Sequence, residues 1–263
     1  MQSQFNARDA AVYDRLMGRH SRLLAEKFLT FAGTIPGEHI LEMGCGTGSL
    51  TFAIPLHVAS VTAIDASEIY VAAAQARNTT PTITIEQGDG AALRFPNASF
   101  DRALTQLVLQ FMPDPTAALT ELRRVVRPGG TIAATVWDSY GGVGAQRMLW
   151  DIAAVLDPEA ARRRAKSMTR PAATPGGLHR SFEQAGLTQI QSTELTIRMD
   201  FANFETYWDP MAAGEGSLGE YIANLDPDAT AKLKSCVHEA YLAGAEDGPR
   251  SFTATAWACR AEV

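Results

Sequence analysis

Glycine occupies every second position in one short stretch of the chain, directly after an apolar run. Residues 39–43 (HILEM) have the length of a buried strand, and residues 49–52 begin a helical pattern. The intervening glycines are Gly44, Gly46 and Gly48. Glycines at such a turn allow positive φ and let a ligand approach the bare backbone, and the N–H groups at a helix start are unpaired. The stretch therefore predicts a ligand-binding loop between a strand and a helix.

A carboxylate follows the second predicted strand, residues 61–64, at a place where a ribose could be bound. This residue is Asp65. An acid at a strand end, about twenty residues beyond a nucleotide-type loop, can accept hydrogen bonds from both ribose hydroxyls. The alternative role is to cap the helix predicted over residues 67–77, but Ser67 can provide that cap. We therefore expect Asp65 to bind a ribose.

The glycine spacing distinguishes two families of ligands. A dinucleotide loop requires G-x-G-x-x-G, and Ser49 occupies the place of its third glycine. The pattern Glu42-x-Gly44-x-Gly46-x-Gly48 instead resembles the first motif of the class I S-adenosylmethionine-dependent methyltransferases, of the small-molecule type with a type 11 methyltransferase domain. Residues 122–130 (LRRVVRPGG) are similar to the element before the fifth strand of that family.

The resemblance implies S-adenosylmethionine as the cofactor and S-adenosylhomocysteine as its product. In this family the G-D after the third strand meets the adenine, although a plain turn is the alternative for Asp89 and Gly90. The backbone near Gln106 would face the amino group, and a buried glutamine satisfied by backbone is its alternative. The cofactor-binding residues implied in this way are Glu42, Gly44, Cys45, Gly46, Gly48, Asp65, Ala66, Asp89, Gly90, Gln106 and Leu107.

Strand and helix patterns alternate through residues 38–137, which predicts a parallel sheet with right-handed crossovers. The first crossover helix is expected at residues 50–57. A later helix, residues 114–127, is expected to stop at the proline and glycines before a strand over residues 131–137. With the alternating runs at 187–199 and 251–260, the implied fold is α/β: a Rossmann-like seven-stranded sheet, mostly parallel with the last strand antiparallel, helices on both faces and a helical cap.

Four segments follow from this pattern. Residues 1–37 are predicted as N-terminal lid helices, 38–138 as the cofactor-binding core and 139–176 as a cap insertion. The remainder, 177–263, would complete the core and carry a helical insertion at about 201–248. The segments outside the core are expected over the carboxyl ends of the strands, where open α/β sheets bind ligands.

The acceptor pocket is predicted among aromatic and polar side chains of these segments. The candidates are Tyr13, Met17, His20, Gln110, Trp137, Tyr140, Phe204, Tyr207 and Trp208. Helix-spaced aromatics such as the last three could equally form the core of the insertion. The implied mechanism is in-line displacement of the methyl group toward an O, N or C atom, for which orientation and exclusion of water matter most. For a hydroxyl acceptor, His20 and His179 are the candidate bases, although a structural or exposed role is the simpler interpretation of both.

Composition favours small-molecule chemistry. The net charge of −6 disfavours a nucleic-acid partner, and no apolar stretch has the length of a membrane span. Three distant cysteines without a C-x-x-C pair, and no ligand spacing of His, Cys or acids, predict a cytoplasmic protein without a metal. Two alternatives stay open: a regulatory or partner protein that binds S-adenosylmethionine without turnover, and, less favoured, a dinucleotide-dependent oxidoreductase.

Overall fold

The structure, a computed structural model, describes residues 7–263. The helices are α1 (Ala10–Tyr13), α2 (Arg19–Ala32), α3 (Glu68–Arg77), α4 (Pro115–Val125), α5 (Gly144–Leu156), α6 (Pro158–Met168), α7 (Gly177–Gln184), α8 (Phe204–Ala212), α9 (Gly216–Ala223) and α10 (Pro227–Leu242). The strands are β1 (His39–Met43), β2 (Ser60–Asp65), β3 (Ile83–Gln87), β4 (Phe100–Gln106), β5 (Val126–Trp137), β6 (Thr188–Phe201) and β7 (Arg250–Glu262).

The seven strands form one sheet in the order β3-β2-β1-β4-β5-β7-β6. Strands β1 to β5 pair in parallel, and β7 runs antiparallel to both of its neighbours, β5 and β6. This confirms the predicted fold class. The strand order reverses between β1 and β4, and such a reversal leaves a crevice at the carboxyl ends of the strands.

The central strands are apolar on both faces because helices cover both sides of the sheet. In β1, the side chain of Ile40 packs in a cluster with Phe28 of α2. Its neighbour Leu41 packs in a second cluster with Leu119 and Leu122 of α4. Strand residues that alternate between the two clusters fix the register of β1, since a slip by one residue would exchange its faces.

The connection from β1 to β2 is not the helix predicted over residues 50–57. Only Thr51–Ala53 forms a helical turn, of the 3₁₀ type, and Ile54 is already extended with ψ of 128°. Pro55 accounts for the difference, because proline excludes the preceding residue from the helical region. The short run between Gly48 and Pro55 leaves room for one turn.

The boundary between α4 and β5 also differs from the prediction. Helix α4 ends at Val125, and β5 begins at once, so the proline and glycines of residues 128–130 lie inside the strand rather than before it. Backbone pairing at the end of the chain explains this: Gly129 donates its N–H to the Val263 carbonyl at 2.9 Å, and Val263 donates to the Gly130 carbonyl at 3.0 Å.

Helices α1 and α2 are joined by a π-helical stretch, Asp14–Gly18, and together these three elements form the lid. The Asp14 carboxylate accepts the Thr47 hydroxyl at 2.6 Å and pairs with Arg77, so the π-helical stretch is fixed to the loop after β1. The Ser49 hydroxyl donates to the Gly18 carbonyl at 3.2 Å. A widened helical turn of this kind occurs frequently at functional sites.

Two further groups of helices stand over the sheet. The cap consists of α5, α6 and the 3₁₀ turn Pro171–Ala173, and the insertion consists of α8, α9 and α10. The Tyr207 hydroxyl donates to the Ala145 carbonyl at 2.8 Å, and the Tyr221 hydroxyl donates to Asp157 at 2.9 Å. Cap and insertion therefore pack as one unit. None of the helices between residues 7 and 263 combines the length and the apolar composition of a membrane span.

Candidate functional site

A cavity opens at the carboxyl ends of the parallel strands, beneath the lid, the cap and the insertion. It encloses about 1420 Å³, counting the part open to solvent. The sheet and its loops contribute Gly44, Gly46, Asp65, Ala66, Ser67, Gln106, Leu107, Val108, Gln110, Phe111 and Trp137. The surrounding helices contribute, among others, Tyr13, Met17, Tyr70, Arg147, Trp150, Arg170, Met211 and Glu215. Strand ends thus form the floor, and helices form the walls.

The glycine loop, residues 44–48, has the backbone geometry that the spacing predicts. Gly44, Gly46 and Gly48 have φ of +80°, +54° and +92°. A Cβ at Gly44 would overlap the Val108 side chain, and a Cβ at Gly46 would stand 3.8 Å from the Tyr13 ring. At Gly44 only glycine combines the angle with the available space, whereas at Gly46 only the positive φ favours glycine. The backbone of Gly46 therefore faces the cavity, with Tyr13 of the lid above it.

The Asp65 carboxylate connects the glycine loop to the start of α3. It accepts the N–H of Gly46 and the N–H of Ser67, each at 2.8 Å. Burial raises the pKa of Asp65, and the N–H groups of Ser67 and Gly46 oppose that shift. Ser67 caps α3 by accepting the Tyr70 N–H at 3.3 Å, so Asp65 is not the capping residue. A carboxylate has about four lone-pair sites, so capacity remains for a ligand on the cavity side.

Two buried acceptor atoms near the crevice have no hydrogen-bond partner. Glu42 is 1% exposed, and its Oε2 atom accepts nothing. Burial, against the opposing hydrogen bond with Thr51 and with a contribution from the Asp65 charge, raises the pKa of Glu42 to about 8. Gln106 donates its amide to the Ser21 carbonyl at 3.0 Å, while its own Oε1 atom has no partner. Buried acceptors in this state are rare, and a ligand that donates hydrogen bonds would satisfy them.

A carboxylate of the insertion holds the lid closed. Glu215 is 1% exposed and accepts hydrogen bonds from the Tyr70 hydroxyl and from the N–H groups of Arg8 and Asp9, each N–H at 3.1 Å. The rings of Tyr13 and Tyr70 are 4.8 Å apart. The sequence analysis missed Tyr70 and Glu215, because a tyrosine in a helix and an acid between glycines carry no distinctive signal.

A second group of residues around the cavity presents donors rather than acceptors. The backbone N–H of Trp137 donates to the Gln110 side chain at 2.6 Å, but the indole Nε1 of Trp137 is buried without a partner. Nε of Arg170 is also buried without a partner, and the Arg170 guanidinium lies 4.9 Å from the centre of the Phe111 ring. We call Trp137, Arg147 and Arg170 the cap side of the cavity, and Gly44, Gly46, Asp65 and Gln106 the loop side.

The two candidate bases lie outside the cavity wall. His20 is buried, accepts the Nε hydrogen of Arg19 at 3.1 Å and packs against Phe201. Burial and the charge of Arg19 together lower the pKa of His20 to about 4, against an opposing contribution from Asp200. His179 bonds to the Ser192 hydroxyl at 2.8 Å in an exposed position. Neither ring lines the cavity, which favours the structural role for His20 and the exposed role for His179; a role as general base stays a prediction.

The aromatic side chains of α8 form the core of the insertion instead of the acceptor pocket. Phe204, Tyr207 and Trp208 are buried in one hydrophobic cluster with Tyr241. This packing follows from helical spacing, which turns all of them toward α10 and the sheet. Tyr140 is 58% exposed. These predicted pocket residues do not line the cavity, whereas Tyr13, Met17, Gln110 and Trp137 do.

Several predicted cofactor residues also stand apart from the cavity wall. Cys45 is 4% exposed and points into the core, and Gly48 faces the Phe52 ring. The Asp89 carboxylate accepts the Ala91 N–H at 2.9 Å, as in the turn that was the alternative. A Cβ at Gly90 would come 2.5 Å from the Met43 sulfur. The adenine role of the Asp89-Gly90 pair stays a prediction.

The comparisons with known proteins agree with this geometry. The chain matches a methyltransferase domain family over residues 41–134. It is 28% identical to nocamycin O-methyltransferase of Saccharothrix syringae, over 93% of this chain and 92% of that protein. It is 35% identical to malonyl-[acyl-carrier protein] O-methyltransferase of Erwinia billingiae, over 49% of this chain and 51% of that protein.

Solved structures share the fold at low identity. The BH2331 protein of Bacillus halodurans superposes with a TM-score of 0.61 at 18% identity, over 90% of this chain and 97% of that chain. Phosphoethanolamine N-methyltransferase 2 of Haemonchus contortus, solved in complex with S-adenosyl-L-methionine, gives 0.60 at 15% identity, over 96% of this chain and 56% of that chain. The family match over residues 41–134, the relatives and the shared fold together support a class I S-adenosylmethionine-dependent methyltransferase with S-adenosylmethionine as the cofactor.

Proposed function

We propose that this enzyme transfers the methyl group of S-adenosylmethionine to an oxygen atom of a small-molecule acceptor, inside the cavity between the loop side and the cap side. The observation that carries the proposal is the division of the cavity by charge and hydrogen-bonding type. Unsatisfied acceptors and acids lie at the loop side, and unsatisfied donors lie at the cap side. Two different ligands, bound next to each other, would satisfy both.

The loop side fits the cofactor. S-adenosylmethionine carries a sulfonium, an ammonium group and two ribose hydroxyls, all of which favour carboxylates or neutral acceptors. Asp65 and Glu215 line the cavity there, and so does Gln106, whose buried Oε1 has no partner. The free Oε2 of Glu42 is buried behind the glycine loop. The bare backbone of Gly46 leaves the space that an amino-acid portion requires.

Each of these residues has a distinct role in holding the cofactor. We assign Asp65 to the ribose hydroxyls and the glycine loop to the methionine portion. The free Oε1 of Gln106 would accept a hydrogen bond from the ammonium end. When bound, the cofactor supplies a methyl group that the sulfonium charge has already activated, so the protein chiefly orients the acceptor and excludes water.

The lid supplies the exclusion of water. Tyr13 covers Gly46, and Glu215 connects the insertion to Tyr70 and to the chain before α1. With the lid closed in this way, the low-dielectric site strengthens the interactions of the carboxylates with a cationic ligand. The lid must open for ligand exchange. Opening would break the contacts between the lid and the loop side of the cavity.

An oxygen acceptor and a small molecule are favoured over the alternatives. Two of the relatives are O-methyltransferases by name, and the one that aligns along nearly its whole length is named for nocamycin. An enclosed cavity with apolar walls suits a small molecule better than a nucleic acid, as does the net charge of −6.

The experiment has two stages. Calorimetry with S-adenosylmethionine, S-adenosylhomocysteine and NAD⁺ should show micromolar binding of the first two and none of the third. Turnover with deuterated-methyl S-adenosylmethionine over a panel of hydroxyl, carboxyl, amine and carbon acids, read by mass spectrometry, then identifies the accepting atom. Binding without any turnover would favour the regulatory alternative, and methylation confined to nitrogen or carbon would refute the oxygen assignment.

A further inference from the structure

Arg170 lines the cavity and has no counter-charge in the part of the chain that the structure describes. Among residues 7–263 no carboxylate pairs with it and no atom accepts from its buried Nε. Its guanidinium lies over Phe111 at 4.9 Å, so an aromatic face rather than an anion is its neighbour. Burial lowers the pKa of Arg170, with no acid nearby to oppose the shift. Arg170 as a whole is half-buried. A charge that is partly withdrawn from water without a partner is costly, and a charged ligand would relieve that cost.

The backbone holds Arg170 in place at the cavity. Residue 171 is proline, which restricts the preceding residue to extended conformations, and Arg170 has φ of −62° and ψ of 125°. Ala172 and Ala173 of the following turn are buried, so the turn is anchored in the core. The side chain is therefore presented to the cavity by a fixed segment and not by a loose loop.

A second donor on the cap side of the cavity also has no hydrogen-bond partner. The indole Nε1 of Trp137 is buried without a partner, although the Trp137 backbone is bonded to Gln110. Gln110 is the chain neighbour of Phe111, on which Arg170 lies. Trp137 and Arg170 thus each contact the short 3₁₀ turn Leu109–Phe111, and both line the cavity. Two free donors next to this turn indicate a ligand group that only accepts hydrogen bonds.

We infer that the methyl acceptor carries a carboxylate, and that Arg170 and Trp137 bind that carboxylate at the cap side; this inference rests on the proposed function. The planar guanidinium matches a carboxylate in geometry, and the indole N–H can donate to the same group. Arg147 also lines the cavity, but it bonds to Asp151 at 3.0 Å, a carboxylate that it shares with Arg164 at 2.6 Å. Arg170 has no such carboxylate among residues 7–263, so its guanidinium is the group available to an anionic ligand.

The test uses the full chain loaded with S-adenosylhomocysteine. The ligands are a panel of aromatic and aliphatic carboxylic acids. Each acid is matched with its own primary amide and with a phosphate monoester of similar size. Binding is followed by calorimetry and by thermal shift. We expect acids to bind and to raise the melting temperature, and we expect their amides and the phosphate esters to bind at least tenfold more weakly. The amide keeps the shape and removes the charge, so the pair isolates the anion.

Three variants locate the binding group. Arg170→Gln should lower the affinity for the binding acids at least tenfold, Arg170→Lys should restore part of it, and Trp137→Phe should lower it about threefold to tenfold. Arg162→Gln is the matched control, because Arg162 is an exposed arginine of the cap that does not line the cavity. The control should bind acids as the wild type does.

Affinity for S-adenosylhomocysteine separates this inference from the proposed function. We expect the Arg170→Gln variant to bind S-adenosylhomocysteine within threefold of the wild type, which also shows that it is folded. If its affinity falls tenfold, Arg170 holds the carboxylate of the cofactor and the acceptor assignment is refuted. The assignment also fails if amides bind as well as acids, if phosphate esters bind more tightly, or if no acid binds the loaded enzyme. Failure of the wild type to bind S-adenosylhomocysteine would instead refute the proposed function.

Discussion

The two sides of the cavity differ in origin and in chemistry. The loop side is built from the ends of β1, β2 and β4, and it presents the Asp65 carboxylate and the free oxygen of Gln106. The cap side is built where β5 meets the cap, and it presents the free N–H groups of Trp137 and Arg170. One side therefore suits a cation and the other an anion.

This difference explains how one cavity can hold two substrates in a fixed spatial arrangement. A cationic cofactor placed at the cap side would meet Arg170, and an anionic acceptor placed at the loop side would meet Asp65 and Glu215. Like charges in a site of low dielectric repel strongly, so each ligand is excluded from the place of the other. The following variants test whether the two sides are independent.

The largest effect is expected for Gly44→Ala on the loop side. Its φ of +80° is unfavourable for alanine, and the added Cβ would overlap Val108. We expect a loss of about 3 kcal/mol in the free energy of unfolding from strain and overpacking, and at least a hundredfold loss of S-adenosylhomocysteine affinity. Gly37→Ala is the matched control: φ is again +80°, but nothing lies within 4 Å. It should cost about 1 kcal/mol and leave affinity unchanged; equal losses of affinity would contradict the assignment.

The next effect concerns the lid. Glu215→Gln removes the charge that accepts from Tyr70 and from two backbone N–H groups, and hydrogen bonds to charged groups are worth about 1.5–3 kcal/mol. We expect S-adenosylhomocysteine to dissociate about tenfold to a hundredfold faster, as measured by stopped-flow fluorescence. Glu220 lies in α9, which Glu215 directly precedes, and it is paired with Arg163 at the surface. S-adenosylhomocysteine should dissociate from the Glu220→Gln variant at the wild-type rate. An unchanged rate in both variants would show that Glu215 does not control the lid.

A pH-dependent effect on stability is expected from Glu42. Burial raises its pKa from 4.5 in the unfolded chain to about 8 in the folded protein. Between these values the unfolded chain has released the proton and the folded protein retains it, so this group makes the protein less stable as pH rises. Glu42→Gln lacks that contribution. We compare the free energies of unfolding of the cofactor-free wild type and the Glu42→Gln variant in urea at pH 5, 6.5 and 8. As pH rises, the difference between them should shift in favour of the variant. A difference independent of pH would contradict the raised pKa.

The smallest effect is expected for the histidines. A general base contributes about 10²–10⁴ to the rate of a reaction that needs one. Because neither His20 nor His179 lines the cavity, we expect His179→Gln and His20→Gln to keep kcat within about threefold of the wild type at pH 7. A hundredfold loss in a variant that remains folded by circular dichroism would return that histidine to the catalytic site.

The loop side could be predicted from the sequence because its signals are local. Asp65 follows a short apolar strand, and the glycines require positive φ whatever surrounds them. The crossover after Gly48 was mispredicted because residues 50–57 have helical periodicity, and a single proline overrides it. The strand order needed no contact information, since alternating strands and helices permit few topologies.

On the cap side Trp137 was predicted as a pocket residue, but Arg147 and Arg170 were not, because they acquire their roles only through tertiary contacts. The same holds for Glu215 and Tyr70, which are separated by 145 residues. Arg170 resembles any arginine before a proline until Phe111 is placed beneath it. The aromatic cluster of α8 was the most conspicuous feature of the insertion, and it proved to be core, since large apolar side chains at helical spacing pack together first.

A crystal structure of the enzyme with S-adenosylhomocysteine would test the division of the cavity most directly. We expect the ribose hydroxyls within hydrogen-bonding distance of the Asp65 carboxylate, the ammonium group near the free acceptors of the loop side, and the Arg170 guanidinium without a contact to the cofactor. A complex in which Arg170 binds the carboxylate of S-adenosylhomocysteine, or in which Asp65 lies away from the ribose, would contradict it.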